Sequence, residues 1–320
     1  MIVSANLAAD VLAHYPPALR GPITSLGNHG GFSGALLFRV GDANATCCLR
    51  AWPIDVKPER LDYIHALMHR AAAAGLDFVP RIFPATNGQH AVSSAGRLWE
   101  LTTWMPGTSG AADVPHVEAA FTTLARLHLA WSEPLPAHSV CPAVERRWSA
   151  YRDWLPLTTS GWQPPSDPLD PVAAVAKRAW AAVRRRLPEL PHLLLPWTSR
   201  LLPLQSCLCD IWSDHVLFTE GRVTGLIDFG SCKLDHVAVD LARLAGSLAT
   251  SAERRAAALE AYSRVRPLTA SERVLAQVVE RTGDIVAAAN WLRWLYREGR
   301  TYEDRQAIAV RLEGLVERLS

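Results

Sequence analysis

The residues best able to do chemistry fall in one stretch, Cys209-Asp210-Ile211-Trp212-Ser213-Asp214-His215-Val216-Leu217-Phe218-Thr219-Glu220-Gly221-Arg222-Val223-Thr224-Gly225-Leu226-Ile227-Asp228-Phe229-Gly230. Asp210 and Asp228 offer carboxylates and His215 an imidazole. Carboxylates serve two tasks well: accepting or orienting a proton, and holding a hard divalent cation. Phosphoryl transfer needs both. One carboxylate orients the attacking hydroxyl, and another holds the cation that bridges the phosphates. Asp210 and Asp214 could instead be loop residues or helix caps, where Asp is common. Asp228 follows an apolar strand directly, and an ionisable group in that position needs a partner.

Some element must gather these side chains. Residues 216–218 read as a short strand, Glu220-Gly221 as a tight turn, and residues 223–227 as the returning strand. A hairpin brings its open ends together. Asp210, His215 and Asp228 are therefore expected at one end of the ribbon, with Asp214 near them.

The rest of the chain divides into two kinds of segment. Residues 23–26, 35–40 and 46–52 are apolar runs separated by Gly and Asn clusters, as in hairpin-linked strands. Pro58 and Gly75 bracket a helix on which Leu61, Ile64, Leu67 and Ala71 recur at helical spacing. Residues 91–92 and 98–103 read as further strands. Met105-Pro106-Gly107 breaks the pattern and marks a boundary. Beyond it, residues 117–131 and 170–187 are helix candidates, the second with Asp170 as N-cap and Pro171 at the first helical position. The Pro-rich residues 155–168 are expected to be a loop, and the chain after Asp235 almost wholly helical. The expected fold class is α+β. Residues 1–103 form a small β-rich lobe, and residues 104–320 a large, mostly helical lobe interrupted by the hairpin.

Composition narrows the function. A chain of 320 residues with 49% hydrophobic and 20% charged residues has a real core and is not disordered. Its 33 basic and 31 acidic residues give a net charge of +2, so neither nucleic acid nor a membrane surface is an expected partner. The N-terminal residues lack a signal-peptide pattern, and no apolar run reaches the roughly 18 residues that span a bilayer. A cytoplasmic protein is expected. Six cysteines are too few for a disulfide scaffold. Cys207-x-Cys209 with His215, Cys232 and His236 could form a zinc site, although the spacing departs from CxxC pairs. Buried, reduced thiols are the simpler reading.

The 209–230 stretch resembles the paired motifs of the aminoglycoside phosphotransferase and choline-kinase-like family, whose fold is protein-kinase-like. There the first motif runs His-Gly-Asp, four residues, then Asn-Val-Leu. The second runs Ile-Asp-Phe-Gly, followed soon by Asp-Leu-Ala. This chain supplies Asp210, Val216-Leu217, Ile227-Asp228-Phe229-Gly230 and Asp240-Leu241-Ala242. The resemblance implies Asp210 as catalytic base, Asp228 as principal Mg²⁺ ligand and Asp240 as a structural anchor. It implies ATP or GTP as donor and a hydroxyl of a small molecule, antibiotic or metabolite, as acceptor. Two positions depart from the family. Leu208 and Cys209 replace its His and Gly, and His215 replaces its metal-binding Asn. His215 then ligates the metal, orients a phosphate, or is merely hydrogen-bonded beneath the site.

The resemblance extends from about Gly27 to Leu244. Gly27-Asn28-His29-Gly30-Gly31-Phe32-Ser33-Gly34 resembles the family's Gly-Gly-x-Ser turn, which places Gly30, Gly31 and Ser33 at the phosphates. Arg50 sits where kinases carry a phosphate-binding Lys, and Glu59, at the start of the next helix, could pair with it. Trp99 to Gly107 fits the interlobe hinge, with backbone groups of Glu100 to Thr102 on adenine. Trp104 and Met105 would line the cleft or belong to the core.

A protein kinase is excluded, because only six residues separate Asp228 from Asp235 and no Ala-Pro-Glu follows. The remaining rival is a catalytically weak or inactive nucleotide-binding pseudokinase, or a ligand-sensing module. The missing His-Gly and Asn favour it, and the retained Asp210 and Asp228 oppose it.

Overall fold

The computed structural model describes residues 5–27, 34–42, 46–133, 135–302 and 304–320. Within them the order is α1 (Ala5–Leu12), β1 (Ile23–Gly27), β2 (Leu36–Gly41), β3 (Thr46–Ala51), α2 (Pro58–Ala73), β4 (Ile82–Phe83), β5 (Val92–Ser94), β6 (Arg97–Thr103), β7 (Thr108–Ser109) and α3 (Val114–Ala130). There follow β8 (Ala137–Val140), α4 (Pro142–Thr159), α5 (Pro171–Arg186), α6 (Leu190–Leu194), β9 (Leu201–Cys207), β10 (Val216–Thr219), β11 (Arg222–Leu226) and β12 (Lys233–Asp235). Helices α7 (Ala238–Leu248), α8 (Ala252–Val265), α9 (Ala270–Tyr296) and α10 (Arg305–Leu319) complete the chain. None of the described helices is long and apolar enough to cross a membrane.

The chain resolves into two compact units. One comprises Met1–Trp131, Ile211–Cys232 and Glu260–Arg266, and the other Ser132–Asp210, Lys233–Leu259 and Pro267–Ser320.

The first unit carries a sheet ordered β1-β2-β3-β6-β4, with β5 paired to β6. Its core joins Phe38, Val40, Leu49, Trp99 and Leu101 to Ala8, Val11, Leu12 and Tyr15 of and just after α1. Side chains alternate across a strand. Cys47, Leu49 and Ala51 of β3 are buried in that core, so Cys48 and Arg50 lie on the opposite face. Helix α2 opens on Pro58, and Gly75 just beyond its end adopts φ 75°. Helix α3 starts at Val114, three residues before the position expected from apolar spacing. Asp113 caps it by accepting from His116 N at 3.0 Å. The hairpin β10–β11 turns through Glu220 (φ 51°) and Gly221 (φ 75°), two left-handed residues whose twist matches the strands. Strand β7 pairs with β10 on its other edge.

The second unit is mainly helical. Helix α5 packs on α10, and α4 and α7 pack on α9. Asp170 caps α5 as expected, its Oδ1 accepting from Val172 N at 3.0 Å. Two features differ from expectation. Residues 155–159 belong to α4, not to a loop, with Pro156 inside the helix. A proline that close to the C-terminal end disturbs only the last turn, and the buried Trp154 anchors this end on Trp162 and Trp180 at 5.5 and 5.3 Å. A three-stranded sheet, β12-β9-β8, also lies here, where the lobe was expected to be mostly helical with the hairpin as its one interruption. Its strands come from distant parts of the chain, so no local hairpin signal announced it.

Candidate active site

The first unit brings together three of the expected residues: Arg50, His215 and Asp228. The hairpin does the positioning. Val216 pairs with Leu226, and Ile227 N donates to His215 O at 3.0 Å. His215 is thereby tied to the residue before Asp228, and its Nε2 lies 4.0 Å from Asp228 Oδ2. Asp228 has left-handed backbone (φ 61°, ψ 69°) and caps the turn after the strand, its Oδ1 accepting from Gly230 N at 3.3 Å. A non-glycine residue in that region is strained, and such strain concentrates at functional sites.

Arg50 reaches Asp228 from the core-free face of β3. Its Nη2 donates to Asp228 Oδ1 at 3.2 Å, and its guanidinium stacks over Trp52 with 4.0 Å to the ring centroid. The pairing expected with Glu59 is not made. Glu59 is exposed in the first turn of α2, while Arg50 is directed to Asp228. Burial pushes the Asp228 carboxyl upward. The charges of Arg50 and His215, with hydrogen bonds from Arg50 and Gly230 N–H, outweigh it and hold the group below the ordinary carboxylate value.

Gly230 leaves room for this arrangement. A Cβ there would stand 3.1 Å from both Arg50 Nη2 and Asp228 Oδ1. Arg60 of α2 adds a contact that sequence reasoning missed, donating from Nη2 to Gly230 O at 2.8 Å. The 170-residue separation of the two left no local signal.

Glu100 and Thr102 sit in the central strand β6, paired to β3 on one side and to β4 and β5 on the other. The Glu100 side chain is buried and hydrogen-bonds His65 of α2, Oε2 to Nε2 at 2.6 Å. At the end of β6, Thr103 N donates to Arg81 O, and the next residue, Trp104, donates its N–H to Thr46 O. Met105 N, next along, has no such acceptor among the described residues. Gly30, Gly31 and Ser33 lie outside the described residues.

Asp210 closes a segment of the second unit. Its Oδ1 accepts from Nη2 of Arg243, on α7. Asp240, one turn earlier on α7 and fully buried, accepts from Leu208 N at 2.7 Å and Cys209 N at 2.6 Å. The α7 N-terminal half thus holds the backbone that leads into Asp210. Cys209 adopts φ 63°. Glycine suits that conformation best, and the related motif carries glycine at this place. The Cys207 and Cys209 thiols are pushed up chiefly by burial, with Asp240 adding to the effect. Burial of this kind favours the protonated thiol.

A profile of the phosphotransferase enzyme family matches residues 26–275. The chain belongs to that family. Among its relatives, a homoserine kinase of Gluconacetobacter diazotrophicus is 29% identical over 226 residues, 68% of this chain and 65% of that one. The match therefore spans just under two thirds of the curated relative. A spectinomycin phosphotransferase solved with ADP and spectinomycin is 11% identical, with a TM-score of 0.70 over 100% of this chain and 98% of that one. A choline/ethanolamine kinase family protein from Mesorhizobium loti is 20% identical, with a TM-score of 0.59 over 98% and 94%. At these identities the two structures establish the fold alone, and it is the protein-kinase-like α+β fold that the paired motifs implied.

A divalent cation would find donors at His215 and Asp228. One is a hard carboxylate oxygen, and the other an imidazole nitrogen softer than magnesium prefers.

Proposed function

We propose that this protein is an ATP-dependent phosphotransferase that moves the γ-phosphate of a nucleotide onto a hydroxyl of a small molecule. The observation that carries the reading is the assembly of Arg50, His215 and Asp228 in one unit, in a chain of the phosphotransferase enzyme family. Arg50 grips the phosphates, a task for which the sequence also offers Gly30, Gly31 and Ser33. Asp228 and His215 would hold Mg²⁺, which would supply positive charge against the phosphates. The adenine takes the backbone segment after Glu100 and Thr102, where Met105 N offers a donor.

Asp210 accepts the proton of the acceptor hydroxyl. That oxygen bonds to the γ-phosphorus as the bridge to the β-phosphate breaks, and ADP leaves with the bridging oxygen. Catalysis is then chiefly positioning and charge neutralisation. The acceptor panel begins with homoserine, the substrate in the relative's name, and extends through amino alcohols and aminoglycosides.

One observation favours a second reading, a nucleotide-binding pseudokinase. Each of the two carboxylates is ion-paired to an arginine, Asp228 to Arg50 and Asp210 to Arg243. A single experiment separates the readings: ATP-dependent product formation across the panel, followed by mass spectrometry, for wild type and Asp210→Ala. The kinase reading expects turnover in wild type and a loss of roughly 10²- to 10⁴-fold in Asp210→Ala, with nucleotide affinity nearly unchanged. Nucleotide binding without turnover in wild type supports the pseudokinase.

A further inference from the structure

The partner of Asp210 bears on which hydroxyl compounds the protein takes. Arg243 sits on α7, and its Nη2 donates to Asp210 Oδ1. Both side chains are partly open to solvent, 31% for Arg243 and 37% for Asp210. A guanidinium therefore stands beside the group that would receive the acceptor.

Other charges of this unit reinforce it. Among the described residues Arg147 donates to neutral oxygens: Thr282 Oγ1 at 3.0 Å, Ala143 O at 3.1 Å and Val279 O at 3.2 Å. Burial above all, with Arg243 and Arg146 acting on it electrostatically, lowers Arg147 to about 10. Three guanidinium groups, with the Asp235 carboxylate paired to Arg146, thus share one electrostatic neighbourhood.

The neighbouring carboxylates are already committed. Asp235 is fully buried and accepts from Ala143 N at 3.2 Å, His236 N at 2.9 Å and Arg146 Nη2 at 2.5 Å. Asp240 is fully buried on the backbone of Leu208 and Cys209. A polycationic acceptor without a carboxylate would find these acids inaccessible and Arg243 repulsive. An acceptor bearing a carboxylate would find a planar fork suited to it.

We propose that the acceptor carries a carboxylate beside its reacting hydroxyl, that Arg243 binds this carboxylate, and that the competition for Arg243 loosens its hold on Asp210. The proposal rests on the kinase reading for the role of Asp210 and adds the class of the acceptor, a hydroxy acid. Arg243 is a specificity-determining residue in it.

The test uses matched pairs on the full chain: L-serine, L-threonine and their longer homologues, each against its amide, with ATP and Mg²⁺. An aminoglycoside serves as the cationic comparison. Wild type is expected to prefer acid over amide at least tenfold in kcat/KM. Arg243→Gln should bring that ratio close to one, and Arg243→Lys should restore part of it. The ratio is internal to each variant, so a loss of folded protein does not mimic the effect. A ratio near one in wild type, a ratio that survives Arg243→Gln, or better turnover of the aminoglycoside overturns the proposal while leaving the kinase reading intact. If no acceptor is phosphorylated, the kinase reading fails instead. The acid-to-amide ratio measured by calorimetric binding in the presence of ADP then decides the inference alone.

Discussion

Arg50 and Asp228, 178 positions apart in the chain, are joined by a hydrogen-bonded ion pair in which Arg50 Nη2 donates to Asp228 Oδ1 at 3.2 Å. The same two residues are the cation proposed for the phosphates and the anion proposed for the metal. Without nucleotide, each satisfies the other.

The pair predicts different losses for its two halves. Asp228→Ala should weaken Mg²⁺-nucleotide binding and cut turnover together. Arg50→Ala should mainly weaken nucleotide binding, by about 10-fold or more, the value of one or two charge-assisted hydrogen bonds. Arg50→Lys should recover part of this, since one ammonium keeps the charge but not the fork. Nucleotide titration and steady-state kinetics separate the effects. Equal nucleotide affinity in Arg50→Ala and wild type would remove Arg50 from the phosphate site.

Gly230→Ala tests how closely the ion pair is fitted. The added methyl would stand 3.1 Å from both Arg50 Nη2 and Asp228 Oδ1. The arginine end is flexible, so the fold should tolerate the change with a urea midpoint near that of wild type. Nucleotide affinity should fall roughly fivefold, the equivalent of about 1 kcal/mol in a displaced hydrogen bond. A large drop in stability with unaltered affinity would contradict this account.

Cys209 gives a comparison that reverses the usual order of small residues. Alanine and glycine both remove the thiol, but only glycine removes the Cβ that φ 63° disfavours. The left-handed region costs a residue with a Cβ about 1–2 kcal/mol, more than glycine's extra unfolded-state entropy. Cys209→Gly is expected to be as stable as Cys209→Ala or more so, by up to about 1 kcal/mol, in urea denaturation. Clearly lower stability for the glycine variant would show that this backbone conformation is unstrained.

Asp170 supplies a pH signature in the second unit. Hydrogen bonds from Arg305 lower its carboxyl below the ordinary value, against a smaller upward push from burial, and the Val172 N–H adds to the lowering. A carboxylate with a depressed folded pKa contributes stability above its unfolded pKa and loses it as pH falls through the folded one. Wild type should therefore exceed Asp170→Asn in stability above about pH 4, with the gap closing in more acidic solution. At neutral pH the gap should be about 1–3 kcal/mol, combining a lost cap with a broken, largely buried ion pair. Urea midpoints from pH 3 to 7 measure it, and a gap constant across that range would refute the assignment.

The legible parts of this protein are those whose signal is short in sequence. The β10–β11 ribbon follows from alternating apolar residues and the Glu220-Gly221 turn. The start of α5 follows from Asp170-Pro171, and the ends of α2 from Pro58 and Gly75. The juxtaposition of His215 with Asp228 was also readable, because a hairpin fixes its own register. Pro156 misled, because a proline's effect depends on its distance from the helix end and on the packing of Trp154 beside it.

By itself the sequence determined the local elements, the family motifs and the identity of the acidic residues, since turn chemistry, capping and apolar period act over a few positions. Only the tertiary structure decided the partners: Arg50 with Asp228 instead of Glu59, Glu100 with His65, Asp210 with Arg243. An ion pair is selected by distance in space, and chain segments that meet only after packing carry no mark of each other in the order of their residues.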